Sequence, residues 1–416
     1  MPLHAGRTPL LFLLLTGCLQ VCGPAQSLTW NEVLVRFKAN NLDLLAGKLF
    51  VEESKAIEVT AGLRPNPVFS SVNDQFLVFD PERFQPFQNG QWTQSVTQLI
   101  ERRRKRPLRV ESAQLNTSMS QNGLADLERQ LTFNLRDAFI RVLQAKSLLD
   151  LAKENLKYYD HVIDINRKRL EAGDIASIDL TRVELQRAQF ESDQANALVG
   201  LRSAKIALMA LINERQPVDE FDVTGEFGFQ ENPIQLDEVR QAALESRPDL
   251  KLADTAKLKA DVDHQLAWAN GSTDPIMGLE YQRTGPDNTM GFSVLVPLRI
   301  FDRNQGEKAR TTLELRRSQR VLDSVTTSVY RDVDSAYTAV ESVRSLLRPY
   351  RDRYLPQSAT VRDTVSFSYM NGGASLLEFL DAQKSYRDTQ LAYRNLIASY
   401  LSAVNQLNQA VGKEIM

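Results

Sequence analysis

Apolar residues between Leu131 and Ile163 recur in alternating steps of four and three: Leu131, Leu135, Ala138, Val142, Ala145, Leu149, Ala152, Leu156, Tyr159 and Ile163. A period of 3.5 is that of a coiled-coil seam; an ordinary globular helix carries a wider stripe. The pattern predicts one helix over Leu124–Ala172. At 1.5 Å per residue it would reach roughly 73 Å, where the mean globular helix has about three turns. Such a helix spans a distance and needs partners along its length.

The rest of the chain reads as those partners. Leu28–Leu63 is helical in pattern, with Trp30, Val33, Leu34 and Phe37 on one face. Arg64-Pro65-Asn66-Pro67 ends it, because two prolines cannot continue a helix. Val68–Asn73 and Trp92–Ile100 are strand candidates. The loop between them carries Phe76, Phe79, Phe84 and Phe87, and the run Arg102-Arg103-Arg104-Lys105-Arg106 follows the second. Gly173-Asp174 stops the seam helix. Ser177 or Asp179 is the expected N-cap of a return helix over Ile178–Asn213 with its own seam. Gln216–Pro233 reads as a non-helical crossover with a β-prone piece, Phe221–Phe229.

The order then recurs. A helix over Leu236–Ala269, broken at Arg247-Pro248, meets the breaker Asp274-Pro275. Ile276–Arg283 alternates, with Met277, Leu279 and Tyr281 on one face. After the turn Gly285-Pro286-Asp287-Asn288, Met290, Phe292, Val294 and Val296 form the apolar face of another strand. Pro297–Gly306 leads to a second very long helix ending near Asn371-Gly372-Gly373, and Leu376–Val411 returns.

The two halves are copies. Ala138-Phe139, Val142 and Ala145–Leu149 match Ala336-Tyr337, Val340 and Val343–Leu347 at one constant offset; Gly173 and Gly372 match at an offset one residue different. Pro349 and Pro356 have no counterpart in the first copy and should kink or locally unwind the long helix of the second. The expected domains are a leader over residues 1–25 (or 1–17), a first copy over 26–215, a crossover over 216–233 and a second copy over 234–416.

The fold class is therefore mainly α with a small β part: duplicated long helical coiled-coil hairpins plus four β-strands per chain. Four strands cannot close a barrel, and open edges are not tolerated in lipid. If the strands enter a membrane, copies must pool them. Three copies give twelve strands, an allowed even number, and bring the helices into a ring, so the expectation is a trimeric α-barrel/β-barrel tube.

Composition narrows the class. The 416 residues carry a net charge of −2, which gives no basic footprint for nucleic acid. Arg7, the apolar run Leu10–Leu15 and the small residues after it read as a secretory signal peptide. Cleavage after Ala25 is one option. The other is the tetrapeptide Leu15-Thr16-Gly17-Cys18, which resembles a bacterial lipobox with Cys18 as the acylated residue. Cys18 and Cys22 are the only cysteines, so the body beyond the leader has no disulfide and no thiolate site. Beyond the leader no run of 18 apolar residues offers a transmembrane helix. His4, His161 and His264 have no ligand at metal spacing, and no catalytic set converges. The expectation is a non-enzyme without cofactor or metal.

At this point the residues resemble a known family. The chain is similar, over essentially its whole mature length, to the TolC family of bacterial outer-membrane channel proteins. The duplication carries the likeness, together with Pro297-Leu298-Arg299-Ile300-Phe301-Asp302-Arg303-Asn304-Gln305-Gly306-Glu307. So do the turns at Arg169-Leu170-Glu171-Ala172-Gly173 and at Gly372 with Glu378–Gln383. The stretch around Phe301 looks most like the cobalt–zinc–cadmium efflux branch. The resemblance implies a homotrimer in outer-membrane lipid, extending into the periplasm. It would dock on a periplasmic adaptor and an inner-membrane pump, often of the resistance–nodulation–division type. It implies passive efflux of heavy-metal cations or of drugs. One departure stands out. Gln98-Leu99 and the Arg102–Arg106 run occupy a place where relatives often have Gln-Pro and a glycine pair, so that strand-to-helix turn must take another path.

Site expectations follow. Glu378 and Asp381, three apart, share a helix face and match the family's acidic periplasmic entrance, with Asp179 as the counterpart of Glu378 or simply an N-cap. Gly173, Gly372 and Gly373, with Arg169 and Leu170, mark hairpin tips that would dock the adaptor. Arg102–Arg106 is either a solvated run or a contact for anionic headgroups, and the loop phenylalanines belong to an interfacial girdle or pack a surface loop. The alternatives to an efflux channel are a type I protein-secretion channel and a soluble periplasmic coiled-coil scaffold. The scaffold leaves two matched strand pairs without a reason.

Overall fold

The computed structural model describes residues 27–75, 78–85, 88–231 and 233–415. The leader with Cys18, and the loop positions Phe76 and Phe87, lie outside the described residues.

Each copy opens with two helices. In the first, α1 (Trp30–Asn40) starts at a capping box between Thr29 and Glu32, and α2 (Leu42–Gly62) follows Asn41. The single helix expected over Leu28–Leu63 is thus corrected. Asn41 is extended, and its Oδ1 accepts from the Leu44 amide at 3.0 Å. A side chain that competes with the backbone breaks a helix without proline.

The sheet is antiparallel in the order β1 (Val68–Asp74), β2 (Gln91–Leu99), β3 (Ile276–Thr284), β4 (Asp287–Leu295). The β2–β3 register runs unbroken from Gln91↔Thr284 to Leu99↔Ile276. The β3–β4 turn is tighter than expected: Asp287 pairs with Thr284, leaving only Gly285-Pro286 between the strands. Gly285, at φ +61°, supplies the positive φ that a two-residue type II′ hairpin needs at its first position.

The first hairpin is α3 (Lys105–Glu171) and α4 (Ser177–Leu211). With 67 residues, α3 reaches about 100 Å. It starts well ahead of the expected Leu124. Its early turns face α2 and α6 (Pro248–Asn270) through polar pairs: Ser120 Oγ with Ser54 Oγ at 2.8 Å and Ser112 Oγ with Asp263 Oδ1 at 2.5 Å. The apolar contacts there, Leu108 and Leu115 with Val262, Leu266 and Ala269, alternate with these polar positions and so break the steps of four and three.

The second copy has α5 (Leu236–Ser246), α6, then α7 (Gln305–Pro349), a π-helical turn over Tyr350–Tyr354, α8 (Leu355–Met370) and α9 (Leu376–Val411). The local unwinding expected of Pro349 and Pro356 is this π turn, which lies between them. Between Leu347 and Gly372 the second copy has one residue more than the first has between Leu149 and Gly173. A π turn closes i→i+5 bonds, so it takes up the residue added after Leu347. Val142 and Val340, and Leu149 and Leu347, are buried in matching places.

The elbows match as well. Asn41 Nδ2 donates to the Leu211 carbonyl at 2.9 Å. Arg247, buried between α5 and α6, reaches the Ala410 carbonyl at 3.2 Å while holding Asp249 and Asp332. Two apolar belts, around Phe37–Val142–Leu208 and around Val333–Leu347–Leu407, hold each hairpin to its elbow. The β-prone piece of the crossover makes one parallel bridge, Val223 with Leu28, and no strand among the described residues. Asp222 beside it accepts from Lys146 Nζ at 2.8 Å and lies 3.1 Å from Lys205 Nζ. Burial alone would raise its carboxyl; the two lysines outweigh that and hold it below the usual range.

Candidate functional site

Both hairpin tips are built the same way. Gly173 has φ +80° and Gly372 φ +76°. Gly173 N–H donates to Leu170 O at 3.0 Å and Asp174 N–H to Arg169 O at 2.8 Å. Gly372 N–H donates to Tyr369 O at 3.1 Å and Gly373 N–H to Ser368 O at 2.8 Å. These are paired Schellman turns, which need a left-handed residue after the helix. Nothing lies within 4 Å of a Cβ added at Gly173 or Gly372, so the requirement is one of backbone conformation and not of space.

The return helices start differently. Ser375 caps α9 in a capping box with Glu378: the Ser375 amide and hydroxyl each donate to Glu378 Oε2 at 2.8 Å. The N-cap of α4 is Ala176, with no side-chain bond. The expectation that Ser177 or Asp179 caps this helix is therefore corrected. Asp179 sits at N3, the position Glu378 holds in α9, and pairs with Arg182 at 3.6 Å.

Just behind the tips the two hairpins are tied together. Tyr369 of α8 donates its hydroxyl to Asn166 Oδ1 of α3 at 2.6 Å, and Asn166 Nδ2 donates to Val162 O at 2.8 Å. Arg169 donates to the Tyr369 carbonyl at 3.0 Å and lies over its ring at 4.9 Å. Tyr369 stacks on Phe379 at 4.7 Å, within a cluster that includes Tyr159, Ile163, Val183 and Phe190. Further along, Gln383 donates to Tyr158 Oη at 2.7 Å and to Ser366 Oγ at 3.0 Å. Burial pushes the hydroxyls of Tyr159 and Tyr369 above the ordinary tyrosine value.

At the other end of the long helices is the sheet. β1 and β4, its two edges, are exposed along their whole length, and Met290, Phe292 and Val294 are exposed although apolar. The stretch from Pro297 to Asn304 is the β4-to-α7 turn, with Gln305 and Gly306 opening α7, and its polar residues hold the turn's own backbone. Asp302 accepts from the Asn304 amide at 2.8 Å, and Gln305 accepts from the Arg303 amide at 2.9 Å. Asn304, left-handed at φ 61°, donates to Ala267 O at 2.7 Å. Thr273 Oγ donates to Pro297 O at 3.2 Å.

Residues 239–413 match the profile of the family described as outer membrane efflux protein. The cobalt-zinc-cadmium resistance protein CzcC of Cupriavidus metallidurans is 23% identical over 95% of this chain and 91% of its own length. Over residues 239–413 the chain is thus similar to the outer membrane efflux protein family. The pyoverdine export outer membrane protein OpmQ of Pseudomonas putida is 23% identical over 67% of this chain and 61% of its own length. A solved structure of CusC superposes with a TM-score of 0.76 at 17% identity, over 92% of each chain. At that identity the likeness speaks for the fold.

Glu378 and Asp381 are both exposed on the first turns of α9. The Ser375 amide and hydroxyl hold the Glu378 carboxyl below the ordinary glutamate value, so its charge is secure at neutral pH. Sequence reasoning misses Asn166 and Tyr369. The seam steps of four and three, carried one step past Ile163, land on Asn166. A polar residue on a seam is a pairing signal, and this was the available clue. Tyr369 had none, because its partner is on another hairpin.

Proposed function

We propose that three copies of this outer membrane efflux protein form one tube. The tube carries substrate passively from a periplasmic adaptor and an inner-membrane pump across the outer membrane. The observation that carries this reading is the four-stranded sheet, open at β1 and β4, at the far end of helices about 100 Å long. Strands of 7 to 9 residues are near the length a tilted membrane strand needs. Only pooling them between copies removes the unpaired edges.

The hairpin tips at Gly173 and Gly372 are the docking points for the adaptor, and Glu378 with Asp381 gives the trimer six carboxylates at its periplasmic mouth. A ring of one sign favours cations and resists its own closure. Metal cations lead as substrate. The Phe301–Glu307 stretch and the similarity to a cobalt-zinc-cadmium resistance protein support this. The similarity to a pyoverdine exporter keeps organic export as the second reading.

The test is conductance of the purified protein in planar bilayers. Discrete channels with cation preference are expected, with E378Q/D381N lowering that preference. Absence of channels from a trimeric preparation would overturn the tube, and an unchanged preference would overturn the acidic entrance. Growth of a deletion strain on graded zinc, cobalt and cadmium beside dyes and antibiotics separates the two substrate classes. Crosslinking from a cysteine placed at Ala172 tests adaptor docking.

A further inference from the structure

The three connections at the helix end of the sheet form one surface. Leu99, Ile276 and Leu295 are register neighbours, so the chain leaves β2, enters β3 and leaves β4 side by side. The Gly271–Asp274 connection lies between the other two. On one side Asp274 accepts from the Arg102 amide at 2.9 Å and from Lys105 Nζ at 2.5 Å. On the other, a methyl on Gly271 would sit 3.0 Å from the Arg303 carbonyl.

Arg102, Arg103, Arg104 and Arg303 are exposed on this rim. The nearby acids are engaged: Glu101 by Arg109 at 2.7 Å, Asp274 by Lys105, and Asp302 by the Asn304 amide. Among the described residues none of the four arginines is in an ion pair. Arg103 and Arg104 both sit at φ 57°, a conformation that the second copy gives to Asn304. Arginine is a poor choice there on backbone grounds, which leaves its charge as the reason for it. Beside these cations stand Leu298, Ile300 and Phe301, with 79%, 59% and 90% of their surface exposed.

We propose that this rim is a binding site for anionic phospholipid in the leaflet facing the helices, with the guanidinium groups of Arg103, Arg104 and Arg303 on the headgroup phosphate and Leu298, Ile300 and Phe301 among the acyl chains. Guanidinium groups pair with phosphate oxygens through two parallel hydrogen bonds. Cations next to exposed apolar side chains, at the level where a membrane sheet ends, are the arrangement that holds a protein at an anionic interface. The inference rests on the outer-membrane placement of the sheet and adds which lipid the rim selects.

The test uses the intact protein in phosphatidylcholine vesicles doped with graded mole fractions of brominated phosphatidylglycerol or brominated phosphatidylcholine. Quenching of tryptophan is the readout. Trp92 lies in β2, and Trp268, 59% exposed, lies near the rim with Lys308 4.6 Å from its ring. At low salt the brominated phosphatidylglycerol is expected to quench at about tenfold lower mole fraction. R103Q/R104Q/R303Q should bring the two lipids within about twofold, while R316Q/R317Q/R320Q, the same charge change on α7, should leave the preference intact. L298S/F301S should weaken quenching by both lipids. Equal quenching in the wild type, or equal loss in the α7 control, overturns the site. So does erasure of the preference by millimolar glycerol phosphate, which would mark a soluble-anion site. Quenching by neither lipid would instead overturn the membrane placement itself.

Discussion

The Tyr369 hydroxyl lies 2.6 Å from Asn166 Oδ1, joining two hairpins from different copies of the repeat just behind their tips. Asn166 has no exposed surface, so its oxygen has no route to water if the tyrosine is lost. Tyr369→Phe should therefore cost about 1–3 kcal/mol, the penalty of a buried acceptor left unmade. The effect should show as faster amide exchange around residues 159–172. Adding Asn166→Leu removes both polar partners and should recover most of that loss. Additive losses in the double variant would refute the pairing.

Alkaline pH should loosen the same place. Burial raises the hydroxyl pKa of Tyr159 and Tyr369 in the folded protein. Their contribution is fully present below the unfolded value of about 10 and is lost as pH rises from there through the folded values. Protease nicking near the tips should rise above pH 10 in the wild type. In Tyr159→Phe/Tyr369→Phe that pH dependence should flatten. Equal alkaline sensitivity in the variant would place its cause elsewhere.

The unequal caps predict opposite responses in the two copies. Ser375→Ala removes a capping box and should cost about 1 kcal/mol in thermal unfolding. The Glu378 carboxyl should return upward toward its ordinary value, read by NMR titration. Ala176→Ser supplies the hydroxyl missing from α4 and should stabilise by up to about 1 kcal/mol. A loss of stability in Ala176→Ser would mean that the α4 start is shaped by something other than its cap.

Two glycines with equally open surroundings should also behave oppositely. Gly173 is left-handed and Gly123 lies inside α3, and neither has an atom within 4 Å of an added Cβ. Gly173→Ala should destabilise by about 1 kcal/mol, and Gly123→Ala should stabilise by about 0.5–1 kcal/mol. Denaturant melts of the two variants decide it.

Much of this protein can be read from the chain because its signals are local and periodic. The steps of four and three named the long helix, alternation named β3, glycines named the tips, and the prolines at Pro349 and Pro356 anticipated the π turn at Tyr350–Tyr354. The misreadings lie where local signals are silent. Asn41 breaks a helix through a side-chain bond. The start of α3 packs through Ser112 and Ser120 as well as Leu108 and Leu115, and the polar positions interrupt the hydrophobic period. The cap of α4 is an alanine, and the sequence offers better capping residues beside it.

The sequence by itself determined most of the elements and their duplication, since each follows from residues close together in the chain. Only the tertiary structure decided that Tyr369 meets Asn166, that Arg247 and Asn41 reach equivalent carbonyls, and that the Arg103-Arg104 and Phe301–Arg303 turns flank one connection. Those contacts join residues far apart along the chain. Their energies depend on burial and distance, which periodicity does not encode.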